Sequence, residues 1–113
     1  MADAKKLMRE AKDRLSTASY RVGFYYYRVK WYRGAIDRFR EILSNDPEYT
    51  HRDAVYYYLA ESLLRADKQT GSGTGKAEAL PYFERLLIEF EQSEYLDDAK
   101  KRIAELKAGA EER

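Results

Sequence analysis

Cysteine is absent from the 113 residues, and with it go disulfides, thiol catalysis and the commonest structural zinc sites. Histidine occurs once, at His51, so no second imidazole or thiol could join it in a metal site, and a surface role at a helix start is the expectation. Proline occurs only twice and glycine six times, so few positions break a helix. An excess of either charge is missing too. Lysine and arginine number 21 against 20 acidic residues, where a nucleic-acid binder usually carries a clear basic surplus. Nor does any apolar run approach the roughly 20 residues that a membrane span needs. Met1-Ala2-Asp3-Ala4-Lys5-Lys6 enters directly into charged helical sequence rather than a secretory leader, which fits a cytoplasmic protein or a piece of a longer exported one.

What the chain does have is 44% hydrophobic and 36% charged residues, too apolar for disorder and suited to helices that each bury one stripe. The length is that of one domain. Tyrosine is the outlier, with eleven copies and two consecutive runs, Tyr25-Tyr26-Tyr27 and Tyr56-Tyr57-Tyr58. A helix turns about 100° per residue, so three neighbours cannot all face one core. Some of these rings must lie at an edge or on a surface.

The apolar spacing predicts an all-α chain. Ala4, Leu7, Met8, Ala11 and Leu15 form a helical stripe, and from Asp3 to about Lys30 nothing stronger than Ser16-Thr17-Ala18-Ser19 interrupts it. One long helix is expected there. A second helix runs from about Tyr32 to Ser44 on Ala35, Ile36, Phe39, Ile42 and Leu43, and Asn45-Asp46-Pro47 should end it, because proline pushes the preceding residue out of the helical region. Thr50 and Asp53 have capping-box spacing and open a third helix through Ala54, Val55, Tyr58, Leu59, Ser62 and Leu63. Residues 67–76, with Gly71, Gly73 and Gly75, read as an exposed flexible connector. A fourth helix follows from Lys76 to about Glu91, with Pro81 near enough to its start to be tolerated. Ser93 should cap a last helix ending near Gly109.

Helix pairs repeat. Gly34-Ala35-Ile36-Asp37-Arg38-Phe39 aligns with Glu78-Ala79-Leu80-Pro81-Tyr82-Phe83, and Leu59-Ala60-Glu61 with Ile103-Ala104-Glu105, both at an offset of 44. Such self-similarity marks a helical solenoid. Small and large residues sit where tetratricopeptide (TPR) repeats use them: Val22, Gly23 and Tyr26, then Tyr32, Ala35, Phe39 and Pro47, then Leu59, Ala60 and Leu63, then Ala79 and Phe83. The expected fold is therefore a short right-handed solenoid of about two and a half TPR-like hairpins. Residues 1–49 supply the long helix and first repeat, 50–92 the second repeat with loop 67–76, and 93–113 a terminal helix. The second pair departs from the pattern by about seven extra residues between its helices and by Glu91 at the turn-proline position.

The runs Lys12-Asp13-Arg14-Leu15, Tyr20-Arg21-Val22-Gly23-Phe24-Tyr25-Tyr26 and Gly34-Ala35-Ile36-Asp37-Arg38-Phe39, continued by Asp46-Pro47-Glu48-Tyr49, Arg52-Asp53-Ala54 and Ser93-Glu94-Tyr95, resemble the BamD/YfiO family, in particular its C-terminal repeats. That resemblance implies a non-enzymatic scaffold of outer-membrane protein assembly, on the periplasmic face of the bacterial outer membrane, that engages the periplasmic domains of a barrel-inserting partner. The family's lipid-bearing cysteine and N-terminal repeats have no counterpart here, so the resemblance is to a piece of such a lipoprotein.

Other chemistries are weak. Gly71-Ser72-Gly73-Thr74-Gly75-Lys76 is followed by Ala77 and preceded by helix, which does not meet the phosphate-loop pattern. Asp97-Asp98 and Glu111-Glu112 are adjacent and point to different helical faces; the first pair suits a helix N-terminus. No serine has a triad around it. Arg28, Lys30, Trp31, Tyr32 and Arg33 interleave basic and aromatic residues as single-strand binders do, yet Tyr32 belongs to the repeat and the charge balance opposes that use. Neither enzyme activity, cofactor, metal nor nucleic acid is expected. The expected partner is a protein, held on the concave face of the array by Tyr20, Phe24, Tyr27 and Arg28 of the first pair and Tyr57, Glu61, Leu64 and Arg65 of the second. Phe24 fits groove and core equally. An adaptor for an extended peptide is the alternative to the assembly scaffold, and open repeat ends allow self-association.

Overall fold

The computed structural model describes residues 2–111, with side chains from 3 to 109. Glu112 of the second acidic pair lies outside them. The described residues form five helices: α1 (Ala2–Arg28), α2 (Tyr32–Asn45), α3 (Arg52–Thr70), α4 (Gly75–Glu89) and α5 (Leu96–Glu111).

Short connections reverse the chain each time, so consecutive helices pack side by side and antiparallel. Ser16 of α1 meets Asp46 beyond α2, and Arg52 at the start of α3 meets Glu89 at the end of α4. Odd-numbered helices consequently run parallel in one layer, with α2 and α4 in the other. The molecule measures 55 × 29 × 20 Å, about two helix diameters through its thinner section, so every helix keeps a face at the surface.

The core lies between the layers. Ala35 and Phe39 of α2 and Ala79 and Phe83 of α4 are fully buried, so the two segments aligned at the 44-residue offset occupy equivalent inward faces. Val55, Leu59, Ala60 and Leu63 of α3 fill the space between them. The aligned α5 segment differs: Ile103 is half-buried and Ala104 exposed, since none of the other described helices covers that side. Gly23 permits a close approach of α1 to α2, since a Cβ there would lie 2.7 Å from a Phe39 ring carbon.

Local chemistry explains most of the ends. α1 closes with the hydrogen bonds Trp31 N–H to Tyr26 O and Lys30 N–H to Tyr27 O, with Lys30 left-handed at φ 66° and the Trp31 ring packed edge-on against Tyr26 at 4.5 Å. This is a Schellman closure with lysine where glycine is usual. α2 ends at Asn45, before Asp46-Pro47. The hydroxyl of Ser93 accepts from Tyr95 N–H in the turn that leads into α5.

Four expectations are corrected. Thr50 and Asp53 form no capping box. α3 starts after His51 without a side-chain cap, because Thr50 donates to Asp13 of α1 and Asp53 accepts from Ser93. The connector is shorter than 67–76: α3 continues through Thr70, Gly71 closes it at φ 71°, and α4 already begins at Gly75. Asp67 ties that turn by accepting from the Ser72 hydroxyl and the Gly73 amide, and Gly75 is buried against the Leu63 carbonyl. Val22, expected in the helix pair, stands 37% exposed. Finally, the stripe of Leu7, Met8 and Leu15 faces solvent, Leu15 being 73% exposed. α1 turns its polar row inward instead. Asp46 accepts from Arg9 and Ser16, while Tyr49 and Thr17 share a hydrogen bond of 2.7 Å.

Candidate protein-binding face

Side-chain bonds register the parallel layer of α1, α3 and α5. The Gln69 side chain donates to the Lys30 carbonyl at 3.4 Å, Ser93 donates to Asp53 at 2.6 Å, and Arg102 grips both Glu61 oxygens at 2.7 and 2.9 Å. Aromatic rings cover the joined face. The i, i+4, i+7 spacing of Tyr20, Phe24 and Tyr27 lines them up along α1, with stacked centroids 6.0 and 6.2 Å apart. Tyr58 of α3 meets Phe24 and Tyr27 edge-on at 5.0 and 5.1 Å. Tyr57 stacks on Tyr95 at 5.0 Å, carrying the row to the start of α5.

The two ends of this row differ chemically. At one end a hollow of about 300 Å³ is lined by Thr17, Tyr20, Arg21, His51 and Tyr95. At the other, Arg65 lies 5.4 Å above the Tyr27 ring, beside a hollow of about 260 Å³ where Arg65, Lys68, Lys76 and Arg102 face Asp67 and Glu105. Burial raises the phenols of Tyr20, Tyr27, Tyr57 and Tyr95, Tyr57 to about 12. Near neutrality they are uncharged donors on an apolar surface, a combination that suits protein contact.

Of the residues expected on the concave face, Tyr20, Phe24, Tyr27, Tyr57 and Leu64 are half-buried and Arg65 is exposed, and the aromatic members form one assembly. Arg28 is exposed and outside the ring contacts. Glu61 does not line an open surface. It is 2% exposed, held by Arg102 and, at 3.7 Å, by Arg65. Its part is to fasten α5 to α3 and to aim two guanidinium groups at the rim. The hydrogen bonds that Arg102 donates to Glu61, together with the charge of that carboxylate, raise the Arg102 pKa further.

Sequence reasoning missed Tyr58, Tyr95 and Arg102. Tyr58 carries a core signal, sitting beside Val55 and Leu59 on the apolar stripe, and no local pattern shows that its ring reaches α1. At the 44-residue offset Arg102 falls on the uncharged Tyr58, so neither local pattern nor alignment pointed to its pairing with Glu61, 41 residues away. The cluster from Arg28 to Arg33 is not a single surface either: Tyr32 is buried, and the exposed Trp31 leans on Tyr26. Among the described residues no group of three His, Asp or Glu side chains is placed to hold a metal ion, and no helix is long and apolar enough to cross a membrane. No family model matches the chain, and no curated protein is similar enough to count as a relative.

Proposed function

We propose that the chain is a non-enzymatic, TPR-like scaffold that holds another protein on the aromatic face of α1, α3 and α5. The observation that carries this reading is the continuous ring assembly from Tyr20 to Tyr95, half-buried, edged by Arg65 and hollow at both ends. Tyrosine and arginine are the usual anchors of protein interfaces: large, stiff and able to hydrogen-bond at their tips. The alternating layers and the equivalent burial of Ala35 with Ala79 and Phe39 with Phe83 support the repeat reading. The place of this scaffold in outer-membrane protein assembly, at the periplasmic face, rests on the BamD/YfiO resemblance alone.

The test is titration of the chain with the periplasmic domains of a barrel-inserting outer-membrane protein, and separately panning of a displayed random-peptide library. Tyr27→Ala combined with Arg65→Ala, with the helical circular dichroism unchanged, should weaken the selected interaction by roughly tenfold or more. Binding that survives this pair of changes and is lost with substitutions on the outer faces of α2 and α4 would remove the aromatic face from the interaction. Recovery of library peptides without binding of the folded domains would favour the peptide adaptor.

A further inference from the structure

α1 is patterned on two opposite faces, and only one of them is used. Arg9, Asp13, Ser16, Tyr20, Gly23 and Tyr27 face α2 and α3. A second row, Met8, Ala11, Leu15, Ala18, Val22 and Tyr25, advances by alternating steps of three and four residues and lies on the far side of the helical wheel. Every member is exposed, Met8 at 66% and Tyr25 at 61%. Apart from Ile88, the large exposed apolar side chains of the described molecule all belong to α1 or the turn that follows it.

A sustained three-four alternation is the seam of a coiled coil. Its flanking positions hold Lys5, Lys12, Arg14 and Arg21, together with Leu7 and Ser19, and no carboxylate. Among the described residues none of these four cations forms an ion pair. Asp13 is taken by Arg9 and Thr50, and Glu10 lies one position outside the flank. Beside the seam a notch of about 240 Å³ opens between Lys12, Leu15 and Ser19 of α1 and Glu41 and Ile42 of α2, with Asp46, held by Arg9 and Ser16, also in its wall; it is large enough for one bulky side chain.

We propose that this outer face of α1 docks a separate amphipathic helix whose apolar seam is flanked by Asp and Glu. Charge selects that occupant. A second copy of the chain would bring the same basic and uncharged flanks, Arg against Arg in the antiparallel arrangement, with no acid to answer them. An anionic membrane would also answer the charge, but Ala11 and Ala18 interrupt the seam between Met8, Leu15 and Val22, so most of its length offers little bulk to bury in lipid. The same alanines let a second helix come close. This surface is distinct from the aromatic face, and the two can be occupied together.

The probe is a fluorescent helical peptide of roughly 25 residues with leucine at the seam positions and glutamate at the flanks, titrated with the full chain at low ionic strength. Its mirror carries lysine at the flanks. We expect the acidic peptide to bind and gain helicity, and the basic one to bind at least roughly tenfold more weakly. The variant K12E/R14E/R21E should reverse that preference, which loss of folding cannot imitate. Leu15→Asp should weaken the acidic peptide by roughly tenfold or more with the aromatic face intact. Equal binding of both peptides, or of neither, overturns the proposal. So does sedimentation showing that the chain dimerises and that Leu15→Asp abolishes the dimer, and so does binding to anionic phosphatidylglycerol vesicles that outcompetes the peptide.

Discussion

The two outer helices bound the stack in opposite ways. The outer surface of α5 is Lys100, Lys101, Ala104, Glu105 and Lys107, all exposed, and its inward side is Ala99, fully buried, with Leu96, Ile103 and Leu106 half-buried. Its stripe is single and directed at α4. α1 carries its apolar row outward and a polar one inward, so what holds it is hydrogen bonding to the α2–α3 connection, Gly23 against Phe39, and the aromatic rings of its second half. A polar outer face closes a stack of helices, whereas an apolar one leaves it ready to be continued. Amphipathicity alone therefore does not say which way a helix faces. The side with better-matched neighbours faces in.

The comparison can be broken at either end, beginning with α5. Arg102→Ala leaves Glu61 buried with only Arg65 in reach. Breaking a buried pair costs about 3–5 kcal/mol, and with Arg102 one-third exposed the expected loss is about 2 kcal/mol, read by urea denaturation. At the other end, Gly23→Ala drives a methyl into the Phe39 ring and should cost about 1–3 kcal/mol in the same measurement.

The next effect belongs to pH. Burial pushes the Asp46 and Asp13 carboxyls up, but hydrogen bonds outweigh it, from Arg9 and Ser16 to Asp46 and from Thr50 and Arg9 to Asp13, and hold both below the ordinary carboxylate range. A depressed acid stabilises the fold above its unfolded pKa and is lost as pH falls through the folded one. Below about pH 4, acid should therefore loosen the N-terminal half of α1 first. Hydrogen exchange on residues 9–17 should rise before that on α3, and Asp46→Asn should abolish the difference.

Smaller still, Lys30→Gly relieves a left-handed lysine and should raise stability by about 1 kcal/mol. The change that sharpens the contrast most is the smallest. Leu15→Gln with Val22→Thr should alter the stability of the free chain by about 0.5 kcal/mol or less, where changing inward-facing Leu59→Ala should cost about 2–5 kcal/mol.

Much of the fold was legible. Asn45-Asp46-Pro47 ended α2, Ala35/Ala79 and Phe39/Phe83 took equivalent positions, and the tyrosine surplus spread over a surface as three adjacent rings must. Backbone geometry and steric bulk act within a few residues, so a sequence displays them. The candidate face was readable only in part. Tyr20, Phe24, Tyr27 and Tyr57 were in the spacing, but Glu61 withdrew from the surface because Arg102, 41 residues away, supplied the charge that makes its burial tolerable. Thr50 and Asp53 left their capping geometry for the same reason, since better partners arrived from α1 and from Ser93.

The sequence by itself determined five helical segments, the single core stripe of α2, α3 and α4, and one apolar row on α1 through Leu7, Met8 and Leu15. Tertiary structure alone decided which row of α1 faces inward and which carboxylates are buried. A periodic pattern records which residues share a face, but the free energy of turning that face in depends on what a distant segment presents to it. Here the α2–α3 connection presented Asp46, Tyr49 and Thr50, so Arg9, Asp13 and Ser16 went inward and Leu15 was left to the solvent.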